Sequence, residues 1–285
     1  MLIQEALIEI LRRRCHEDMR VTAATLYGSF AQGEGDAFSD IECVLFFDPT
    51  ALARLDRRAW AAQIAPLLSF FADDFGHYTA IFDGLIRGEF HFEPTEKIAT
   101  VASWRGNAWF PDLSKAILVD RTGELRAHMQ ALTGAPPPHD RPETVQRLID
   151  NFINVVIFGL NTLERGELAR SLEILGLCHR YLLWMARLVE SSLAHWPTPS
   201  RRLEQELSRG RYERFTHCTA SLDQAALRRA YGAAWAWGAE MIPDLVNRHS
   251  LAQPEPLIAL VAARVLGQCS RSEFDRGDSH LPFQT

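Results

Sequence analysis

Residues 133–142, TGAPPPHDRP, limit what this chain can fold into more than any other stretch. Successive prolines have a fixed φ and no amide to donate, so they enter neither a helix interior nor a sheet ladder and form a stiff connection instead. The chain therefore reads as two folded parts, residues 1–134 and 143–270, with a loosely ordered tail at 271–285. A length of 285 residues, 47% of them hydrophobic, is enough for a core in each part.

The hydrophobic pattern differs on the two sides of the break. Before it, Leu2, Ala6, Leu7, Ile10 and Leu11 share one face of a helix, and residues 21–27 (VTAATLY) are β-branched enough for a strand. Residues 41–47 (IECVLFF) predict a second strand, ended by Asp48-Pro49. Residues 51–71 are mostly helical by composition. Residues 78–82 and 85–93 predict two strands joined by a two-residue Asp83-Gly84 hairpin turn, and residues 116–120 a last short strand. After the break strand signals stop. Leu148, Phe152, Val155, Val156, Leu160 and Leu163 form one helical stripe, and Leu172, Leu175, His179, Leu182, Ala186 and Val189 another. Apolar residues on the remaining faces imply buried helices, continued at 200–215, 221–247 and 255–269. The fold class is α+β: strands with flanking helices, then an all-α bundle.

Charge narrows the partners. A net charge of −6 and a pI near 5.9 argue against a nucleic acid partner, which would favour a surplus of Lys and Arg, and leave small molecules. Cys15, Cys43, Cys178, Cys218 and Cys269 are scattered, with no CxxC pair, so neither a disulfide framework nor a zinc knuckle is indicated; buried thiols in a reducing cytoplasm are expected. The first fifteen residues carry acids inside their apolar run, unlike a signal peptide, and no stretch is long enough to span a membrane.

Chemistry concentrates in residues 27–42, YGSFAQGEGDAFSDIE. Alternate residues of a strand point the same way, so Asp40 and Glu42 share one small volume while Ile41 and Cys43 pack behind them. Two like charges held that close call for a cation, and carboxylate oxygens suit Mg²⁺. Gly28-Ser29 stands where the first strand ends; glycine lets the backbone approach a ligand, and amides with a serine hydroxyl cradle phosphate oxygens. A further acid, Glu89, lies on GEFHFEP, with His91 and Glu93 on the same presumed face. His91 and Glu93 are given no catalytic role, since an outer strand facing solvent explains them equally well. Together these are the parts that hold a triphosphate through metal ions.

Hydrophobic-Gly-Ser, a spacer, Asp-x-Glu and then a third carboxylate resemble the nucleotidyltransferase fold shared with DNA polymerase beta. More narrowly, LYGSFAQGEGDAFSDIE with IRGEFHFEP and a helical second half is similar to the lincosamide nucleotidyltransferases, antibiotic-resistance enzymes; the similarity extends over most of residues 1–265. The resemblance implies a mixed sheet in a nucleotidyltransferase domain and a helical domain for substrate binding or dimerisation. It implies transfer of a nucleoside monophosphate, AMP from ATP, to a hydroxyl of lincomycin or clindamycin, with release of pyrophosphate. Gly28 and Ser29 would hold the β and γ phosphates and Ser39 add a contact. Asp40 and Glu42 would bind one or two Mg²⁺ ions, and Glu89 would bind a metal or act as general base. The second acid of the pair is Glu where many relatives have Asp.

Arg170, Glu173 and His179 interrupt the apolar helices and call for partners, either an internal salt bridge or a ligand. Trp104, Trp109 and Phe110 are candidates for an acceptor wall or for core; Trp235 and Trp237 are packing. The apolar surplus of the helical half allows a homodimer. Two alternatives remain open: an aminoglycoside as acceptor, and a nucleotidyltransferase-type antitoxin or regulatory protein.

Overall fold

The computed structural model describes residues 1–253 and 255–267 and shows the α+β class expected. The tail at 271–285, Cys269 and the end of the last expected helix lie outside the described residues. Two compact units divide between Pro137 and Pro138.

The first unit is a six-stranded sheet in the order β3-β4-β5-β2-β1-β6. Its strands are β1 (Val21–Leu26), β2 (Ile41–Phe47), β3 (Leu67–Ala72), β4 (Tyr78–Phe82), β5 (Ile86–Pro94) and β6 (Ile117–Asp120). Its helices are α1 (Ile3–Glu17), α2 (Gly28–Gln32), α3 (Pro49–Leu52), α4 (Arg57–Ala61), α5 (Leu113–Ala116) and α6 (Glu124–Met129). The sheet is mixed: β2 runs parallel to β5, and the other neighbours are antiparallel.

Alternation assigns the two faces of the central strands. Ile41, Cys43, Leu45 and Phe47 of β2 and Phe90 and Phe92 of β5 point to one side, where Leu7, Leu11 and Cys15 of α1 and Trp60 of α4 close the core. Phe47, Trp60 and Phe92 meet there with ring centroids 5.8–5.9 Å apart. The opposite face carries Glu42, Val44 and Phe46 beside Glu89, His91 and Glu93, pair by pair in register. One sheet face is thus fully buried, while the other buries Val44 and Phe46 and leaves Glu42, Glu89, His91 and Glu93 partly exposed.

Two expectations need correction. Residues 51–71 are not mostly helical: α3 and α4 are single short turns, and residues 67–72 form β3. LLSFFA is an apolar run that fits either state, and pairing with β4 decides it. The β4–β5 connection has three residues, Asp83–Leu85, not two, because both Gly84 (φ 75°) and Leu85 (φ 60°) adopt the left-handed conformation.

The second unit is all-helical among the described residues. Its long helices are α7 (Pro142–Glu164), α8 (Leu168–Glu190) and α11 (Gln224–His249); α9 (Leu203–Glu206), α10 (Arg209–His217) and α12 (Glu255–Val265) are shorter. Where one helix was expected over 200–215, the chain makes α9, a break, and α10. Proline occupies the first turn of α7, where its missing amide costs nothing, and Gly166 (φ 76°) turns the chain after it. Asp223 caps α11 by accepting from the Ala226 amide at 2.8 Å. All six residues of the α7 stripe are buried, as are Trp235 and Trp237, which are packing as expected.

Glycine sets how closely these helices approach. A Cβ on Gly159 of α7 would overlap the Tyr231 phenol of α11, whose hydroxyl donates to the Ser171 carbonyl of α8 at 2.7 Å. Gly159→Ala gains up to about 1 kcal/mol of helix propensity. Overpacking against a buried, hydrogen-bonded Tyr231 costs about 1–3 kcal/mol, so a net loss of stability is expected. Urea unfolding followed by circular dichroism checks the sign; a raised midpoint would contradict this packing.

The polar residues flagged in the bundle divide. Arg170 and Glu173 are exposed, at the edge of the stripe and not inside it. His179 is half-buried, with Nε2 2.8 Å from the Cys218 carbonyl, and its ring meets Phe215 edge-on. Cys15, Cys43, Cys178 and Cys218 are free and buried, as expected. No helix among the described residues is long and apolar enough to cross a membrane.

Candidate functional site

The site begins where β1 ends. Gly28 takes φ +66° and opens α2, and a Cβ there would overlap the Glu42 carboxylate. Glycine is therefore required twice, by conformation and by the close approach of an acid to the backbone. The Tyr27 amide donates to the Glu42 carbonyl at 3.0 Å, which fixes this turn against β2. Ser29 is buried behind Gly28.

Parallel pairing of β2 with β5 places Glu42 beside Glu89. Asp40, just ahead of β2, is tied to the same place by Arg87, whose guanidinium pairs with Asp40 and also donates to Glu89 Oε2 at 2.9 Å. The structure thus brings Asp40, Glu42 and Glu89 to one patch of the sheet, with Gly28 at its rim. Ser39 is adjacent in sequence, but its hydroxyl donates to Asp36 Oδ1 at 2.9 Å and serves the loop.

The other oxygen of Glu89 is held by Tyr27, which the sequence reading gave no role, and by His91, which it gave no catalytic one. The Tyr27 hydroxyl donates to Glu89 Oε1 at 2.6 Å and lies 2.7 Å from His91 Nε2, while His91 Nε2 is 3.3 Å from the same Oε1. β5 lies between β4 and β2, so it is not an outer strand, and the solvent-facing explanation for His91 fails. Continuing the β4–β5 register one step beyond Tyr78–Phe90 sets His77 beside His91, with ring centroids 3.7 Å apart. Arg87 was detectable by the same period of two that marks Glu89 and His91. Tyr27 and His77 depend on strand register and carried no local signal.

Electrostatics follows from these contacts. Burial pushes the Glu89 pKa up, yet hydrogen bonds from Tyr27, Arg87 and His91 outweigh it and hold the carboxylate below its usual range. Burial, helped by His77, lowers the His91 pKa against the pull of Glu89 and Glu93, so the imidazole is neutral near pH 7. Burial and the neighbouring Glu89 raise the Tyr27 pKa, which keeps the phenol protonated as a donor. An ionised carboxylate with one oxygen on Arg87 and the other on Tyr27 is fixed in orientation.

Further along the same face is a cavity of about 500 Å³, lined by Tyr27, Val44, Phe46, His91, Glu93 and Trp104 among others. The turns of residues 95–104 supply its other wall, and Glu93 pairs with Lys97 at 2.8 Å on its border. Trp104 is therefore a wall residue, whereas Phe110 is core at 2% exposure. The arrangement offers hard oxygen ligands at one end, a fixed carboxylate in the middle and an apolar, acid-edged cavity beyond.

Residues 141–263 match the family described as lincosamide nucleotidyltransferase-like, C-terminal domain. Among solved structures, the chain is similar to an aminoglycoside 6-adenyltransferase from Bacillus subtilis, with 13% identity, a TM-score of 0.43, and coverage of 94% of this chain and 98% of that one. It is also similar to a nucleotidyltransferase-like protein from Exiguobacterium sibiricum, with 12% identity, a TM-score of 0.39, and coverage of 97% and 81%. A CCA-adding enzyme in complex with CTP aligns at 12% identity and a TM-score of 0.31, over 94% and 73%. No curated protein matches the chain. Over residues 141–263, then, the chain is similar to the C-terminal domain of the lincosamide nucleotidyltransferase-like family.

Proposed function

We propose that this protein transfers a nucleoside monophosphate, AMP from ATP, to a hydroxyl of a lincosamide and releases pyrophosphate. The observation that carries the reading is the β2–β5 register, which sets Glu42 beside Glu89 while Arg87 ties in Asp40. The lincosamide nucleotidyltransferase-like match over 141–263 supports the same class of acceptor.

In this reading the Gly28 and Ser29 backbone cradles the β and γ phosphates, which the absence of a Cβ at Gly28 permits, and Ser39 adds a contact once released from Asp36. Asp40 and Glu42 hold Mg²⁺, which supplies charge neutralisation on the triphosphate. Their hard-oxygen chemistry fits that ion, and the same patch accommodates a second at Glu89. Glu89 takes the proton of the acceptor hydroxyl or ligates the second ion; its anchoring by Tyr27 and Arg87 holds it in one orientation for either task. Arg87 supplies positive charge next to the departing pyrophosphate oxygens. The acceptor occupies the cavity of about 500 Å³, where Val44, Phe46 and Trp104 suit a sugar and its apolar substituents and Glu93 suits a single amine. The free buried thiols are in keeping with a cytoplasmic enzyme.

Mass spectrometry of lincomycin, clindamycin and kanamycin, each incubated with the protein, Mg²⁺ and the four nucleoside triphosphates, tests donor and acceptor together. The expected result is a gain of one nucleoside monophosphate on a lincosamide, absent without Mg²⁺. Modification of kanamycin alone would replace the acceptor, and no adduct on any drug would overturn the reading in favour of a protein target.

A further inference from the structure

We propose that His77, Glu89 and His91 form a site for one borderline divalent transition-metal ion, of the Zn²⁺ or Co²⁺ kind, separate from the hard-cation ligands Asp40 and Glu42. One ligand atom from each of the three lies within 4.8 Å of the others. His91 Nε2 and Glu89 Oε1 are already 3.3 Å apart, and that is about the edge of a tetrahedron with Zn–N and Zn–O bonds of roughly 2.0 Å. His77 supplies the third ligand atom within the same 4.8 Å. It is a third exposed, sits at the end of the turn before β4, and rests its ring on His91.

Donor chemistry separates this site from the neighbouring one. Two imidazoles and one carboxylate favour Zn²⁺, Co²⁺ or Ni²⁺ over Mg²⁺, which prefers oxygen throughout. Arg87 engages Oε2 of Glu89 and leaves Oε1 facing the histidines. Supporting groups stand behind the ligands, as second-shell partners do in metal sites. Asp73 Oδ2 lies 3.7 Å from His77 Nδ1, and the Tyr27 hydroxyl orients Glu89. His77 and His91 both line the cavity, so an ion held there would be reachable from it.

The test uses the full chain without a histidine tag, in metal-free buffer and with no nucleotide, so that it stands apart from the transfer reading. Co²⁺ titration followed by visible absorption is expected to saturate at one equivalent with a d–d band that Zn²⁺ abolishes and a large excess of Mg²⁺ does not. His77→Asn and His91→Asn are each expected to weaken Co²⁺ binding 10-fold or more. Because His77 is on an exposed turn, its variant keeps the fold, checked by circular dichroism, and decides the matter alone. Absence of a stoichiometric band, displacement by Mg²⁺, or wild-type affinity in His77→Asn would overturn the site.

Discussion

Asp40→Asn is expected to leave a folded protein that transfers nucleotide at least about 10²- to 10³-fold more slowly, the loss typical when one charge-stabilising group is removed from a preorganised site. The amide keeps the shape of the carboxylate and can still accept from Arg87, so thermal unfolding should move little. What disappears is the negative charge that, in the proposed reading, holds a hard cation against the triphosphate. Glu42→Gln should behave alike, since the Glu42 carboxylate packs on the Gly28 backbone and its amide fits the same space. Pyrophosphate release with and without Mg²⁺ measures the effect. Turnover within a few-fold of wild type in either variant would remove these residues from the mechanism.

The largest effect on stability is expected at Arg187. Its side chain is fully buried in α8 and donates to Pro199 O at 2.8 Å, Ser192 O at 3.0 Å, Ser192 Oγ at 3.1 Å, Arg201 O at 2.6 Å and Glu206 Oε2 at 2.6 Å. Residues 191–202 contain no helix or strand, so their carbonyls lack the partners regular structure would give, and Arg187 substitutes for a ladder. Burial raises the Glu206 pKa, but Arg187 and then His195 outweigh it and keep the carboxylate ionised; His195 Nδ1 lies 2.6 Å from Glu206 Oε1. Arg187→Met fills the volume but strands these acceptors and one carboxylate, at an expected cost of about 3–5 kcal/mol. In a chain of this size that lowers Tm by about 10 °C. A Tm within 2 °C or so of wild type in differential scanning calorimetry would show that the loop stands without it.

Arg187 also explains part of what the sequence did not reveal. Helices α7 and α8 were legible because their cores repeat every three or four residues over 23 residues each. Residues 191–202 were not, because a single buried guanidinium organises the segment and leaves no periodic trace. In the first unit β1, β2 and β5 were legible from β-branched and alternating runs, whereas β3 reads equally well as helix until β4 pairs with it. The acids divide in the same way. Asp40 and Glu42 are two residues apart, and Glu89 alternates with Phe90, so local periodicity marked all three. The meeting of Glu42 with Glu89 follows from a parallel pairing between strands more than forty residues apart, and Tyr27 and His77 arrive through the antiparallel pairings of β1 with β2 and β4 with β5, none of which a local pattern encodes.

That Asp40 and Glu42 hold a triphosphate through a hard divalent cation is tested by calorimetric titration of a non-hydrolysable ATP analogue into wild type and Asp40→Asn, with and without Mg²⁺. Binding in wild type is expected to require Mg²⁺ and to weaken at least 10-fold in Asp40→Asn. Binding of equal strength without the cation, or unchanged in the variant, would contradict it.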